Sequence, residues 1–170
     1  PLRLVGSEMC IRDRFDADHQ GNSGFTAEDI AAGIESWLEE TGAPDIVLFS
    51  SPGGNDALQN FPYNGVVDDI EYIINVLQAS NPNVTIIIEQ MAPTHSDEMT
   101  AELTNYINDL HQDMLLIASN KTTSTSEIIA IDMFTGFTDA MLADDVHYNE
   151  LGAKFIADKY YAVLVNLLQG

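Results

Sequence analysis

Short apolar runs alternate with longer stretches of helical periodicity along this chain, and that alternation restricts its fold more than any other feature. The apolar runs fall at residues 2–5, 46–49, 84–88 and 128–131. Apolar residues recur every three or four positions at about residues 26–42, 64–77, 97–118 and 149–168. Helical crossovers place successive strands parallel in one sheet, with helices on both faces. The sequence therefore predicts the α/β class, a three-layer αβα sandwich around a flavodoxin-like parallel sheet of four to five strands.

The helical stretches carry end signals. Four polar residues stand where such stretches begin and are predicted as N-caps: Thr26, Asn64, Ser96 and Asn149. Gly42 is predicted to end the first helix, because glycine tolerates the left-handed backbone common after a helix C-terminus. Residues 137–142 are predicted to form one short helical turn.

Composition excludes several classes of partner. The 170 residues are 45% hydrophobic, which suits one domain with a substantial core, and we expect a single domain over residues 1–170. The net charge is −21, with 27 acidic and 6 basic residues, so there is no basic surface for nucleic acid or an anionic membrane. No apolar run approaches the roughly 18 residues of a membrane span. The acidic character favours a secreted or salt-exposed protein, although no signal peptide is visible.

The basic residues are unevenly placed. Arg3, Arg12, Arg14 and the single cysteine, Cys10, lie within the first 14 residues. The rest of the chain has no arginine, and its only basic residues apart from histidine are three lysines: Lys121, Lys154 and Lys159. This break in composition predicts that residues 1–14 are a non-native or truncated N-terminal segment of the domain.

The turn after the second apolar run combines glycine with polar side chains. Ser51-Pro52-Gly53-Gly54 permits a sharp turn, and Asn55-Asp56 follows it directly. Ligands of open α/β sheets bind at the carboxyl ends of the strands, where this turn would lie. The Asn55 amide is suited to donate a hydrogen bond to a developing oxyanion. The alternative is that Asn55 only caps the following helix.

Two further turns complete a recognisable pattern. Asp144-Asp145-Val146-His147 precedes the last helix, and Gly21-Asn22-Ser23-Gly24 precedes the first. With Gly53-Gly54-Asn55-Asp56, they resemble three of the four sequence blocks of the SGNH (GDSL-type) hydrolases, over about residues 15–165. The run Asp18-His19-Gln20-Gly21-Asn22-Ser23-Gly24 is similar to that of the acetylxylan-esterase-like branch, carbohydrate esterase family 3.

The resemblance implies a role for each matching residue. His147 would be the general base towards a serine hydroxyl, and Asp144 would orient its imidazole, with Asp145 as a weaker alternative partner. Asn55 and the backbone N–H of Gly24 would be the oxyanion donors, Gly24 being small so that the backbone can approach the oxyanion. Three other histidines are not assigned to catalysis. His19 and His95 are predicted as solvated loop residues, the alternative being that they line the substrate cleft. His111 is predicted on a helix surface.

The nucleophile is the part of the pattern that the sequence lacks. The family places it in a Gly-Asp-Ser turn after the first strand, and this chain contains no Gly-Asp-Ser. Ser7, after Gly6, is the only positional candidate. Either residues 2–5 correspond to the family's second strand, with the first strand and its serine absent, or residues 2–5 take the central position and Ser7 replaces the nucleophile. The 17 positions from Ser7 to Gly24 favour the first alternative, whereas sheet packing favours the second.

The resemblance implies a serine ester hydrolase that acts on a small acylated substrate, in particular a carbohydrate ester such as an acetylated sugar. No cofactor and no metal are expected. The rival is a non-catalytic scaffold of the same fold that at most binds carbohydrate. A flavodoxin-like phosphate or nucleotide binder is disfavoured, because no glycine-rich phosphate loop and no basic residue stand near the turns. Oligomeric state and acyl specificity are left open.

Overall fold

The sheet consists of parallel strands in sequential order. The computed structural model describes residues 3–5 and 21–169, and these contain four strands in the order β1-β2-β3-β4. Their bounds are Arg3–Val5 for β1, Ile46–Phe49 for β2, Thr85–Gln90 for β3 and Ile128–Asp132 for β4. Every pairing is parallel, with Val47 opposite Ile86 and Ile86 opposite Ile128. The predicted parallel sheet is confirmed.

Helices cover both faces of this sheet. Five are present in the described residues: α1 Ala27–Thr41, α2 Gly54–Leu58, α3 Tyr63–Ser80, α4 Ala101–Lys121 and α5 Glu150–Gln169. A 3₁₀ turn at Asp139–Met141 occupies the predicted short turn. The core around α1, α3 and α4 lies on one side of the sheet and that around α5 on the other, which confirms the three-layer αβα class. Within the described residues, no helix is both long and apolar enough to span a membrane.

Strand residues fill two separate cores because successive side chains point to opposite faces. Val47 and Phe49 of β2 pack with Ile86 and the helices α1, α3 and α4. Leu48 and Ile87 pack on the other side, against α5. All of these strand side chains are buried, as expected where helices cover both faces of a parallel sheet.

Two helix starts and one helix end agree with the sequence. The Thr26 hydroxyl accepts from the backbone N–H of Asp29, whose carboxylate accepts from the Thr26 backbone, so the pair forms a capping box at α1. Gly42 ends α1 with φ 79°. Asn149 Oδ1 accepts from the N–H groups of Leu151 and Gly152 at the start of α5.

Two other N-cap predictions are wrong. Helix α3 begins at Tyr63 after Pro62, so Asn64 lies inside its first turn. Helix α4 begins at Ala101, where Thr100 accepts from the N–H of Leu103. Ser96 instead donates its hydroxyl to Asp139 at 2.6 Å, which ties the loop after β3 to the 3₁₀ turn. Each true start lies within a few residues of a competing polar residue, and tertiary contacts decide between them.

The first strand lies beside β2. Arg3, Leu4 and Val5 are in register with Val47, Leu48 and Phe49. Hydrogen bonding on this side of β2 is therefore taken up by β1, as the packing argument for the second placement of residues 2–5 expects. Residues 6–20, which include Ser7 and His19, lie outside the described part of the chain.

Candidate active site

The candidate site is built from turns at the carboxyl edge of the sheet. In a parallel sheet all strands end at the same edge, where bound ligands contact the loops. The turn after β2 carries Asn55, and the loop after β4 carries Asp144 and His147. The turn that leads into α1 carries Gly24.

Asp144 and His147 form a hydrogen-bonded pair. His147 Nδ1 lies 2.8 Å from Asp144 Oδ2 and 3.0 Å from Oδ1. The N–H groups of Val146 and His147, followed by the His147 ring, lower the pKa of Asp144 to about 2, so this carboxylate is ionised at neutral pH. An ionised carboxylate only accepts, so Nδ1 carries the proton and Nε2 is the basic nitrogen. The side chains are 39% and 53% exposed for His147 and Asp144, which leaves the imidazole open to a ligand.

The loop that carries this pair is closed by its own backbone. Ala143 N–H donates to the His147 carbonyl at 2.7 Å, and an antiparallel bridge joins Leu142 to Tyr148. Asn149 Nδ2 donates to the carbonyls of Ala140 and Leu142 while its oxygen caps α5. The loop therefore presents His147 from a fixed frame at the start of α5.

Aromatic packing supports the same loop from below. Phe137 is buried, and its ring centroid lies 5.4 Å from that of Tyr148 and 5.7 Å from that of Phe155. Edge-to-face and tilted pairs of this kind favour one arrangement of the rings. The loop after β3 is attached as well, because His95 N–H donates to the Asp145 carbonyl at 2.8 Å. Asp145 thus contributes its backbone to loop packing, and Asp144 is the carboxylate that pairs with His147.

Asn55 joins the turn after β2 to the turn before α1. Its Nδ2 donates to the Phe25 carbonyl at 2.7 Å, which uses one of its two amide hydrogens. The alternative in which Asn55 caps the next helix is wrong: α2 has Gly53 as its N-cap residue, without a side-chain cap. Fixed by Phe25, the half-buried Asn55 amide retains a second hydrogen for a ligand.

Asp56 makes the complementary contact and was not predicted as a site residue. It is 2% exposed, and its Oδ2 accepts from the Ala27 N–H at 3.0 Å. Burial raises the pKa of Asp56, although the N–H groups that it accepts from act in the opposite direction. The sequence predicted that a helix begins after Thr26. The first N–H groups of any helix need acceptors from outside it, and that requirement was the available signal for a residue such as Asp56.

Gly24 is required for its backbone conformation. Its φ is 79°, a region that residues with a side chain rarely adopt. In the described part of the chain, no heavy atom lies within 4 Å of the position that a Cβ would occupy. The left-handed turn before Thr26 is therefore sufficient to explain the glycine. The expected approach of the Gly24 backbone to an oxyanion stays a prediction.

The predicted site residues that the structure describes fall into two halves. In one, Asn55 and its neighbour Asp56 bind the turn that carries Gly24. In the other, Asp144 binds His147. Between the described residues of the two halves, no hydrogen bond joins Asn55 to His147. No group of three or more His, Cys, Asp or Glu side chains in residues 21–169 is arranged to hold a metal ion.

Glu89 is a further polar residue at this edge that the sequence did not reveal. It lies near the end of β3 and is 0% exposed. Its Oε2 accepts from the Ser51 N–H at 2.8 Å and from the Ser50 hydroxyl at 3.2 Å. Burial raises the pKa of Glu89, with the Tyr160 hydroxyl and the Ser51 N–H acting against that shift. A carboxyl inside an apolar strand is visible in the sequence, but its partners are distant along the chain.

Solved structures define the class of the protein. A member of the lipolytic protein G-D-S-L family from Veillonella parvula superposes with a TM-score of 0.73, over 96% of this chain and 97% of that one, at 17% identity. Identity this low shows only a shared fold. The fold, with the Asp144–His147 loop and the Asn55 turn at one sheet edge, is that of the SGNH hydrolases.

Two structures at higher identity narrow the class. A carbohydrate esterase family 3 protein from Talaromyces cellulolyticus is 31% identical, with a TM-score of 0.79 over 97% of this chain and 81% of its own. An acetyl esterase variant determined with an acetate ion is also 31% identical, with a TM-score of 0.81 and the same coverage. The chain belongs to carbohydrate esterase family 3, within the SGNH hydrolases. No protein-family model matches the sequence, and a search of curated proteins finds no match.

Proposed function

We propose that this protein is a serine ester hydrolase that removes acetyl or other short acyl groups from carbohydrate. The observation that carries the proposal is the Asp144–His147 pair, in which an ionised carboxylate fixes the imidazole tautomer that leaves Nε2 basic. The similar structures named as a carbohydrate esterase and as an acetyl esterase with acetate support this choice of substrate.

In the proposed reaction, His147 Nε2 takes the proton from a serine hydroxyl as its oxygen attacks the ester carbonyl. The carbonyl oxygen becomes an oxyanion, which accepts hydrogen bonds from the free amide hydrogen of Asn55 and the N–H of Gly24. His147 then gives the proton to the sugar oxygen as its bond to the acyl carbon breaks, which releases the sugar alcohol and leaves the serine acylated. Water repeats the sequence on the acyl-enzyme and releases the acid. Asp144 stabilises the imidazolium throughout.

Ser7 is the serine that we propose for this role. It stands two positions after Val5, the last described residue of β1, just as Ser51 stands two positions after Phe49 at the end of β2. Strand β1, which precedes Ser7 in the sequence, is parallel to β2, with Val5 opposite Phe49. A second candidate function, a non-catalytic scaffold that at most binds carbohydrate, is favoured by a different observation, namely that the sequence contains no Gly-Asp-Ser.

Hydrolysis of p-nitrophenyl acetate by three variants tests the proposal. His147→Ala should lower kcat/KM by at least about 10³-fold, because a triad without its base retains only the oxyanion donors. Ser7→Ala should cause a loss of similar size. His95→Ala is the matched control: this histidine also lies between carboxylates in a loop of the same edge, and its removal should change kcat/KM by less than about threefold.

The outcomes separate the two candidate functions. Parent activity at background, with no effect of Ser7→Ala, would support the non-catalytic scaffold. Turnover abolished by His147→Ala and untouched by Ser7→Ala would refute Ser7 and direct the search to Ser23 and Ser51. Release of acetate from acetylated xylo-oligosaccharides, compared with p-nitrophenyl acetate, tests the carbohydrate part of the proposal; it fails if the oligosaccharide is not hydrolysed by an otherwise active protein.

A further inference from the structure

The turn that carries Asn55 begins at a strained residue. Ser51 has φ 45°, in the left-handed region that an L-residue other than glycine seldom occupies. Its carbonyl accepts from the Gly54 N–H at 3.1 Å, which starts helix α2, and Asn55 follows in the first turn of that helix. The orientation of the Asn55 amide therefore depends on the backbone at Ser51.

Glu89 is the group that holds this backbone. Its Oε2 accepts from the Ser51 N–H at 2.8 Å and from the hydroxyls of Ser50 and Ser51 at 3.2 and 3.4 Å. A strained conformation persists only when surrounding contacts over-determine it, and a buried acceptor from the adjacent strand supplies such contacts. On the other side of the turn, Gly53 has φ 74°, and a Cβ there would collide with the side chains of Val66 and Leu110.

We propose that Glu89 is a positioning residue for the oxyanion donor Asn55, which it aims by holding the Ser51 backbone of the turn in place. The proposal rests on the proposed function of Asn55. Glu89 itself touches no substrate in this scheme, since it is completely buried beneath the turn.

The surroundings of Glu89 contain hydrogen-bond donors but no lysine paired with it among the described residues. Tyr160 of α5 faces the carboxyl, yet Glu89 Oε1 and the Tyr160 hydroxyl meet no hydrogen-bond partner of good geometry among the described residues. The lysines of the described chain have other partners: Lys121 binds Glu71, Lys154 binds Asp158 and Lys159 binds backbone carbonyls. With no lysine of the described chain beside it, burial raises the pKa of Glu89, which favours the neutral carboxyl. An uncharged amide of the same shape should therefore replace it.

Variants at position 89 test the proposal through Asn55 itself. In ¹H–¹⁵N spectra, Glu89→Gln should leave the Asn55 side-chain amide resonances and the exchange rate of the Ser51 amide as in the parent. Glu89→Leu, which leaves the Ser51 N–H unpaired, should shift or broaden the Asn55 resonances and speed Ser51 exchange by at least about tenfold. Glu89→Asp, which withdraws the carboxyl by one methylene, should act in the same direction if Glu89→Leu does not fold.

Kinetics supply the second readout. With p-nitrophenyl acetate, Glu89→Leu should lower kcat at least about tenfold with little change in KM, and Glu89→Gln should stay within about threefold of the parent. Ser126→Ala is the matched control, because Ser126 is equally buried and donates to the Val84 carbonyl at the opposite end of the sheet. It should lower the melting temperature without changing the Asn55 or Ser51 signals.

Two results would overturn the inference. One is a folded Glu89→Leu or Glu89→Asp protein with unchanged Asn55 and Ser51 signals. The other is a Glu89→Gln protein as perturbed as Glu89→Leu, since that would show a need for charge instead of an acceptor. The spectra remain decisive if the parent lacks esterase activity. Full activity of Asn55→Ala, by contrast, would refute the proposed function of Asn55 and leave the structural role of Glu89 intact.

Discussion

The burial of His111 is set by segments that are distant from it in the sequence. It was predicted on a helix surface, and that prediction is wrong, because only 8% of its surface is exposed. Its Nε2 lies 3.0 Å from the Met91 carbonyl, and its ring meets Phe134 edge-on at 5.4 Å between centroids. The segments after β3 and β4 fold over α4 at this point. Burial lowers the pKa of His111, while the Met91 carbonyl and Asp132 act in the opposite direction.

This histidine should make the fold sensitive to mild acid. Because the folded pKa lies below the ordinary value of 6.5, the unfolded chain takes up a proton first, and stability is lost as pH falls through that value. The slope contributed by one such group is at most about 1.4 kcal/mol per pH unit. Urea unfolding of the parent and of His111→Gln between about pH 7.5 and pH 5 measures the difference. The other titrating groups are the same in both proteins, so they cancel in the comparison. If the free energy of unfolding changes equally with pH in the two proteins, the prediction is wrong.

Contacts between residues close in the sequence were easier to predict than contacts between distant ones. Asp144 and His147 are three positions apart, so a local motif is sufficient to predict their pairing, and the hydrogen bond is present. Glu89 and its partner Ser51 are 38 positions apart, and their contact depends on the register of two strands. Ser7, the residue on which catalysis depends in our proposal, remains a prediction.

At the scale of elements, Asn149 connects α5 to the loop that carries His147. Its oxygen caps the helix at 2.9 and 3.1 Å from two N–H groups, and its nitrogen donates to two loop carbonyls at 2.8 and 3.0 Å. Gly152 allows the close approach, because a Cβ there would collide with the Met141 carbonyl oxygen. One side chain, that of Asn149, thus serves two structural purposes.

Substitutions of Asn149 should separate these purposes. Asn149→Asp keeps the cap acceptor and loses both donor bonds, whereas Asn149→Ala loses all four contacts and should cost about 1–3 kcal/mol in urea unfolding. Both should reduce any esterase activity, because the loop frame around His147 loosens. Thr100→Ala is the control, since Thr100 only caps α4 and should cost about 1 kcal/mol without a loss of activity. Equal activity in Asn149→Asp and the parent would show that the loop does not need this clamp.

Elements were predictable where local signals agree. The strand Ile46–Phe49 was predicted at its observed bounds, because four apolar residues stand between turn signals. Helix α2 was missed, since its five residues, Gly54–Leu58, are too few to show a period. The start of α4 was placed early, because the Ser96 hydroxyl that looked like a cap is engaged by Asp139, 43 positions away.

At the scale of the whole molecule, repulsion between like charges opposes the compact fold. The net charge is −21, and the few lysines of the described chain are already paired or bound to carbonyls. Some carboxylates lie close to one another. Burial is the largest cause of the raised pKa of Asp69, and the negative charges of Glu28 and Asp68 raise it further. At 1 M salt the Debye length is roughly 3 Å, so repulsion between exposed carboxylates that are farther apart than this is largely screened.

Added salt should therefore stabilise the fold. The melting temperature at pH 7 should rise between about 10 mM and 1 M NaCl, by about 2–4 °C for each kcal/mol of repulsion that is screened. The control is the same titration near the sequence pI of about 4.1, where net charge and hence the effect should be small. A melting temperature that is flat or falls at pH 7 would show that repulsion between carboxylates does not limit the stability of the fold.

The contacts of Asn55 and Asp56 with the turn before α1 affect which substitutions in that turn the site can tolerate. Both side chains bind main-chain atoms, the Phe25 carbonyl and the Ala27 N–H, and neither binds a side chain there. These two contacts therefore do not depend on the side chains of Phe25 and Ala27. The exposed residues Asn22 and Ser23 stand next to the proposed oxyanion donor and are free of this constraint. Under the proposed function, we expect single substitutions of Asn22 or Ser23 to change substrate preference while the contacts of Asn55 and Asp56 are kept.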